Sequence, residues 1–320
     1  MQNRIAIIIL IIVFSFKSGY SQKMDWFNHI SSSPQLFGSG IISDESGNRD
    51  MAISPNGNEL MYTLQYKNGT FSTIIYSKKS NGKWSSPEII SFSGRFNDLE
   101  PAYSPDGKRI YFSSNRPIDD SNKSKDYDIW YSEKINGTIW SNPIHLDSMV
   151  NTSKNEFYPS IGKSGSIYFT REMEGKDEDI VSCQWNENHF EKAVSLPETI
   201  NSNGAEFNAY VDADESMILF TAYKKPSNFG QGDIYVSFKS IDGTWLPSKN
   251  LGNKINDKGL TYCPYISPDK KYFFFTSNRW SPPPFAEKQN IKSLKKLLRT
   301  PLNGWDNIYW LDAKEIFNLK

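Results

Sequence analysis

A Ser-Pro-Asp-Gly turn followed by a strand of β-branched and aromatic residues recurs along the chain, and no other feature restricts its fold as much. The clearest copy covers residues 100–116, with the turn at Ser104-Pro105-Asp106-Gly107 and the strand at Arg109-Ile110-Tyr111-Phe112-Ser113. Variants cover 51–63 and 264–279, and two weaker copies cover 158–170 and 208–221. Leu60, Ile110, Ile167, Ile218 and Phe273 hold one strand position, 50 to 57 residues apart. A unit repeated at such a period buries its apolar face only by stacking on its neighbours. Propeller blades need roughly 40 to 50 residues, so each repeat here carries an additional long loop.

Alternation and turn chemistry divide a repeat into four strands. Strand a is short and leads into the turn, where proline presets φ and Asp-Gly tolerates the reversal. Strand b is the β-branched, aromatic segment. Strand c lies beyond the long loop, at Asp128-Ile129-Trp130, Asp179-Ile180-Val181, Asp233-Ile234-Tyr235 and Asn307-Ile308-Tyr309. Hairpin signals at Asn81-Gly82, Asn136-Gly137 and Asp242-Gly243 precede strand d, which opens on Trp84, Trp140, Phe190 or Trp245. The fifth copy lacks a strand d. Residues 33–37 look like one and precede the first strand a, so they are expected to complete the last blade. The expected fold is all-β: a β-propeller of four-stranded antiparallel blades, five in number with six as the alternative, closed by an N-terminal strand. Circular closure leaves only short, protected sheet edges.

The Ser-Pro-Asp-Gly turn, the following Ile110-Tyr111-Phe112-Ser113-Ser114-Asn115-Arg116 and the later Asp-Ile-Tyr of strand c resemble the TolB-like β-propeller repeat family, a WD-like repeat. The ending Asn307-Ile308-Tyr309-Trp310-Leu311-Asp312-Ala313-Lys314 is similar to exported members from Bacteroidota-type bacteria. The resemblance covers residues 33–316. Copies three and four depart from it, with Gly162-Lys163-Ser164-Gly165 and Asp212-Ala213-Asp214-Glu215 in place of the turn. It implies a rigid protein- or ligand-binding ring with no shared catalytic set. Propellers host unrelated activities, so function has to be argued from a site.

Residues 1–21 read as a signal peptide: Arg4, an apolar stretch over 5–16, then small residues before Gln22. The alternatives are a buried N-terminal strand or an uncleaved anchor. The stretch is short for a membrane span, and no cysteine follows it for a lipid anchor. The expected product is a single propeller domain over 22–320 with a helical insertion at about 285–300, periplasmic or secreted, without a transmembrane segment. The chain holds 36 basic and 36 acidic residues, and loss of Arg4 and Lys17 with the leader leaves 34 against 36. No clustered basic face suggests nucleic acid. Cys183 falls on strand c of blade three and Cys263 beside strand a of blade five, too far apart to bridge. His29, His145 and His189 are scattered, so neither a metal site nor a cofactor is expected. The acid run Asp177-Glu178-Asp179 is read as a solvated loop, with calcium as the alternative.

In a propeller the d–a and b–c connections share one face and the a–b and c–d hairpins the other. The first face collects the candidate site residues. An acid recurs before strand a at Asp50, Glu100, Glu156 and Glu206, with Thr261 breaking the series. Arg116 and Arg279 begin b–c loops, Arg171 lies close to one, and Tyr158 and Tyr262 sit inside the same mouth. Three readings stay open. The acids and arginines pair between blades as structural pins; they form a polar funnel for a ligand; or two of the acids hydrolyse a glycoside. The b–c loop of blade five also stands out. Pro282-Pro283-Pro284 precedes a segment, 285–299, in which Ile291, Leu294, Leu297 and Leu298 follow helical spacing among Lys288, Lys292, Lys295, Lys296 and Arg299. That helix either packs on its own blade or faces a partner or membrane.

The functional expectation is an exported, non-enzymatic propeller that binds an envelope protein or glycan. The alternative is a carbohydrate-active hydrolase or lyase using acids at the propeller mouth.

Overall fold

The computed structural model describes residues 26–319 except 28–29, 67–68, 120–123, 176, 281–287 and 289. The expected leader, Pro282–Pro284 and the first part of the expected helical segment lie outside the described residues. Five antiparallel sheets form a five-bladed propeller. From the axis outward, blade one is Gly47–Ile53, Glu59–Tyr66, Phe71–Ser80 and Glu88–Ile89. Blade two is Asp98–Tyr103, Arg109–Ser114, Asp128–Ile135 and Ile144–His145; blade three is Glu156–Ile161, Ile167–Glu172, Glu178–Cys183 and Val194–Ser195. Blade four is Ala205–Val211, Met217–Tyr223, Gly232–Phe238 and Lys249–Asn250. Blade five is Thr261–Ile266, Tyr272–Ser277 and Asn307–Asp312, and its outer strand is Gln35–Leu36 from the N-terminal region.

That closure is antiparallel, with Gln35 opposite Trp310 and Leu36 opposite Tyr309. Apolar burial holds it. Trp26 stacks on Trp84 at 5.1 Å, and Phe37 meets Phe274 edge-on at 5.1 Å. Trp26, Phe37 and Ile42 thus join blade five to blade one in one cluster with Leu60, Phe274 and Trp310. Each of the other joints has a comparable core. Met61 and Ile74 of blade one pack on Ile110, Phe112 and Trp130 of blade two. The five equivalent strand-b residues Leu60, Ile110, Ile167, Ile218 and Phe273 are all fully buried.

Strand d is not one continuous strand. Trp84 and Trp140 pair in a short hairpin with the end of strand c, and the outer strand resumes at Glu88 and Ile144. Pro87 and Pro143 separate the pieces, because proline brings no donor to the ladder. The d–a connectors carry a repeated device that sequence periodicity did not reveal. Asn151, Asn201 and Asn256 each accept the amide and donate to the carbonyl of one strand-c residue: Ile129, Ile180 and Ile234.

The blade-five insertion contains a helix, Ile291–Leu297, shorter than the sequence pattern suggests. Asn290 ends it on the N-terminal side by accepting from the amides of Lys292 and Ser293. No residue of this helix is buried. The helix therefore does not pack its leucines into its own blade, the first of the two readings of this segment.

Candidate functional site

All five inner strands break register at the same place. The shifts lie between Arg49 and Ala52, Leu99 and Ala102, Phe157 and Ser160, Phe207 and Tyr210, and Tyr262 and Tyr265. Each is a β-bulge whose first residue has positive φ: Asp50, Glu100, Tyr158, Asn208 and Cys263, at 51° to 62°. None is glycine, and a left-handed conformation there costs roughly 1–3 kcal/mol per residue. The bulge re-aims one side chain per blade toward the axis.

The five side chains meet. Arg49 donates from Nε to Asp50 at 2.8 Å and from Nη2 to Glu100 at 2.7 Å. The Nη2 group also lies 3.4 Å from Cys263 Sγ. Asn208 donates to Glu100 at 3.2 Å, and the Tyr158 amide donates to the other Glu100 oxygen at 2.7 Å. The Tyr158 hydroxyl crosses the channel to the Pro264 carbonyl at 3.0 Å. One cluster thus ties all five blades. Inter-blade hydroxyls support it: Thr276, Thr63 and Thr170 accept the amides of Asp50, Glu100 and Asn208. Burial pushes the Glu100 carboxyl up to about 7, with Arg49 opposing and Asp50 reinforcing the shift. Burial also raises the Cys263 thiol. Asp50 Oδ2 is buried without a hydrogen-bond partner among the described residues.

Five of the nine sequence-predicted residues fall at two positions of the inner strands. Asp50, Glu100 and Tyr158 occupy the bulge. Glu156 and Glu206 sit two residues before it, in the place of Asn48, Asp98 and Thr261. The turn of blade three is one residue shorter, yet counted back from strand b Glu156 and Glu206 lie 11 and 12 residues away against 10 for Asp50 and Glu100, so the offset is legible in the sequence. The acids at the outer position form ion pairs within their own blade rather than between blades. Asp98 meets Arg116 at 2.5 Å, Glu156 meets Arg171 at 2.9 Å and Glu206 meets Lys225 at 3.4 Å. The between-blade contact comes from Nη2 of each guanidinium, which in Arg116 is the same group that meets Asp98. Arg116, Arg171 and Arg279 donate to the carbonyls of Phe92, Val150 and Ile255 on the arriving connector. Arg279 lies 3.5 Å from Asp257, and Arg49 stacks over Tyr262 at 4.9 Å. Sequence reasoning missed Arg49, Asn208 and Cys263. The available signal was the proline after the bulge, Pro101, Pro159 and Pro264, which aligns Glu100, Tyr158 and Cys263.

The strand-c aspartates serve different ends. Asp233 caps the amides of Phe229 and Gly230, whereas Asp128 binds Lys125 and His145. Among the described residues no group of three His, Cys, Asp or Glu side chains is placed to hold a metal ion.

The two ends of the channel differ. Toward the b–c loops, Phe157, Phe207, Leu260 and Tyr262 pack against Tyr158 and Cys263, and beside them a cleft of about 540 Å³ opens, lined by Phe157, Phe207, Leu260, Glu172, Glu178 and Lys224. Toward the a–b turns, a cavity of about 330 Å³ opens, walled by Tyr103, Tyr210 and Tyr265. Asp50, Glu100 and Tyr158 lie at its inner end, and Lys163, Asp214 and Lys270 stand at its mouth. A second cleft on that face, lined by Arg109, Lys134, Trp185 and Phe190, shares Ser104, Pro105, Ile161 and Lys163 with the cavity.

No family model matches the chain, and no curated protein matches it in sequence. Solved structures do match. TolB from Acinetobacter baumannii is 13% identical with a TM-score of 0.47, over 83% of this chain and 54% of that one. The GH43 endo-arabinanase from Bacillus licheniformis is 13% identical with a TM-score of 0.46, over 82% of this chain and 93% of that one. The GH74 enzyme of Niastella koreensis is 16% identical with a TM-score of 0.42, over 83% of this chain and 37% of that one. The chain spans about half the length of the TolB structure and less of the GH74 enzyme.

Proposed function

We propose that this protein is an exported binding module of the cell envelope that takes a protein segment or glycan into the central cavity from the face of the Ser-Pro turns. One observation carries the reading. The cleft on the b–c face is lined by none of the bulge residues, whereas the cavity among the a–b turns is lined by Asp50, Glu100 and Tyr158. There, tyrosines wall a space that reaches two carboxylates, one with an oxygen lacking a partner among the described residues. Concave sites with a few convergent polar groups are where ligands bind. Tyrosine rings suit sugar faces or peptide side chains, and the carboxylates accept from hydroxyls or ammonium groups. Asp50, Glu100 and Tyr158 are assigned to the ligand. Glu156, Glu206, Arg116, Arg171, Arg279 and Tyr262 are assigned to holding the loops and packing the b–c side of the axial cluster. The leader pattern over 1–21 supports a periplasmic or secreted location. Glycan-array and peptide-library screening of the mature protein tests this, with Tyr210→Ala and Lys270→Ala as cavity variants. Loss of binding at an unchanged melting temperature supports the cavity. Binding kept by both but lost in Asp177→Lys, on the opposite face, overturns it.

A second reading has one observation in its favour. Glu100 holds its proton near neutral pH and is joined through Arg49 to Asp50. A carboxyl with raised pKa beside a second carboxylate is the arrangement used in glycoside hydrolysis. Arg49 engages both acids, so turnover requires it to release one. Sugar release by the wild type and its loss in Glu100→Gln would establish hydrolysis; no release from any glycan that binds removes it.

A further inference from the structure

We propose that the blade-five insertion is a docking element for an anionic lipid surface. The helix Ile291–Leu297 has no buried residue, and Ile291, Leu294 and Leu298 are 68%, 44% and 57% exposed. At 3.6 residues per turn these three share one edge of the helix. Lys292, Lys295, Lys296 and Arg299 form the adjoining face, which is also exposed. Residues 288–299 hold five cations and no acid, in a chain whose basic and acidic residues balance. Trp280 and Trp305, 54% and 40% exposed, flank the helix, and tryptophan favours the boundary between lipid and water.

Charge decides the occupant. An apolar edge alone could pair with a second copy, but two such helices would bring like charges together. A helix with an apolar edge beside a lysine face lies in a bilayer surface, with its apolar residues in the acyl boundary and its cations on anionic headgroups. The insertion leaves the ring from the b–c face, while the cavity opens among the a–b turns. A docked molecule therefore keeps its cavity pointing away from the membrane, so the two surfaces work independently.

The test is co-sedimentation of the mature protein with phosphatidylcholine vesicles that contain or lack phosphatidylglycerol. The expected result is partition to the anionic vesicles that falls as salt is added. Lys292→Glu/Lys295→Glu/Lys296→Glu should lower it at least about tenfold. Ile291→Ser/Leu294→Ser should lower it at constant charge. Both variants should melt like the wild type, because they alter no buried side chain. No partition, equal partition to neutral vesicles, or partition retained by the triple variant overturns the proposal. Binding to soluble polyglutamate without binding to vesicles assigns the helix to an acidic protein and also overturns it. Self-association that disappears in the Ile291→Ser/Leu294→Ser variant, with no partition, assigns it to a second copy.

Discussion

At the residue scale, buried charges concentrate the energetics on few positions. Glu156 is fully buried, paired with Arg171 and hydrogen-bonded by Thr152. Removing one partner strands the other without water or countercharge. Glu156→Ala should therefore cost about 3 kcal/mol in denaturant unfolding. Lys108→Ala, which breaks the exposed pair with Asp106, should cost under about 0.5 kcal/mol. Equal values for the two would refute the buried pin. Glu100 makes stability depend on pH. Its folded pKa of about 7 lies above the ordinary 4.5, so the native state binds its proton more tightly than the unfolded chain. The contribution is fully present below 4.5 and disappears as pH rises through 7, by up to about 3 kcal/mol. Burial moves Glu156 and Asp98 in the same direction. Unfolding at pH 5 and pH 8 should show the wild type losing more stability than Glu100→Gln; parallel losses would mean that Glu100 is not the titrating group.

At the element scale, two segments of similar size have opposite standing. The N-terminal strand Gln35–Leu36 brings the buried Phe37 and the Trp26–Trp84 stack with it. Deleting residues 22–40 exposes the joint between blades five and one, and the melting temperature should drop by several degrees or more. The helix Ile291–Leu297 buries nothing. Replacing 291–298 by a glycine-serine linker should leave the melting curve in place. Scanning calorimetry of both variants checks the pair, and an unchanged curve for the 22–40 deletion would exclude the clasp. The period of the repeats made the clasp legible, because a missing strand d at one end matched a spare one at the other. The exposure of the helix was not legible. Ile291, Leu294 and Leu298 have the spacing of a core-packed stripe, and only the three-dimensional position of the loop leaves that stripe in solvent.

At the scale of the whole molecule, the ring places Cys183 and Cys263 in blades three and five, both buried with free thiols. The folded protein should be silent to a thiol reagent and yield two reactive groups on denaturation without reductant; fewer than two would contradict the blade assignment. Sequence by itself determined the architecture, because periodicity, turn chemistry and alternation are local properties repeated five times. It marked strand b in every copy, the closing strand, and Asp50, Glu100 and Tyr158 as candidates. Tertiary structure alone decided which of these share a site. The bulge falls at the same place in all five inner strands, and it is the ring that turns this equivalence along the chain into side chains that meet at the axis. Convergence of Arg49, Asn208 and Cys263 on Glu100 joins residues up to 214 positions apart. Only closure of the ring brings them within hydrogen-bonding distance, and only the packing around the axis decides that the a–b cavity and not the b–c cleft is lined by Asp50 and Glu100.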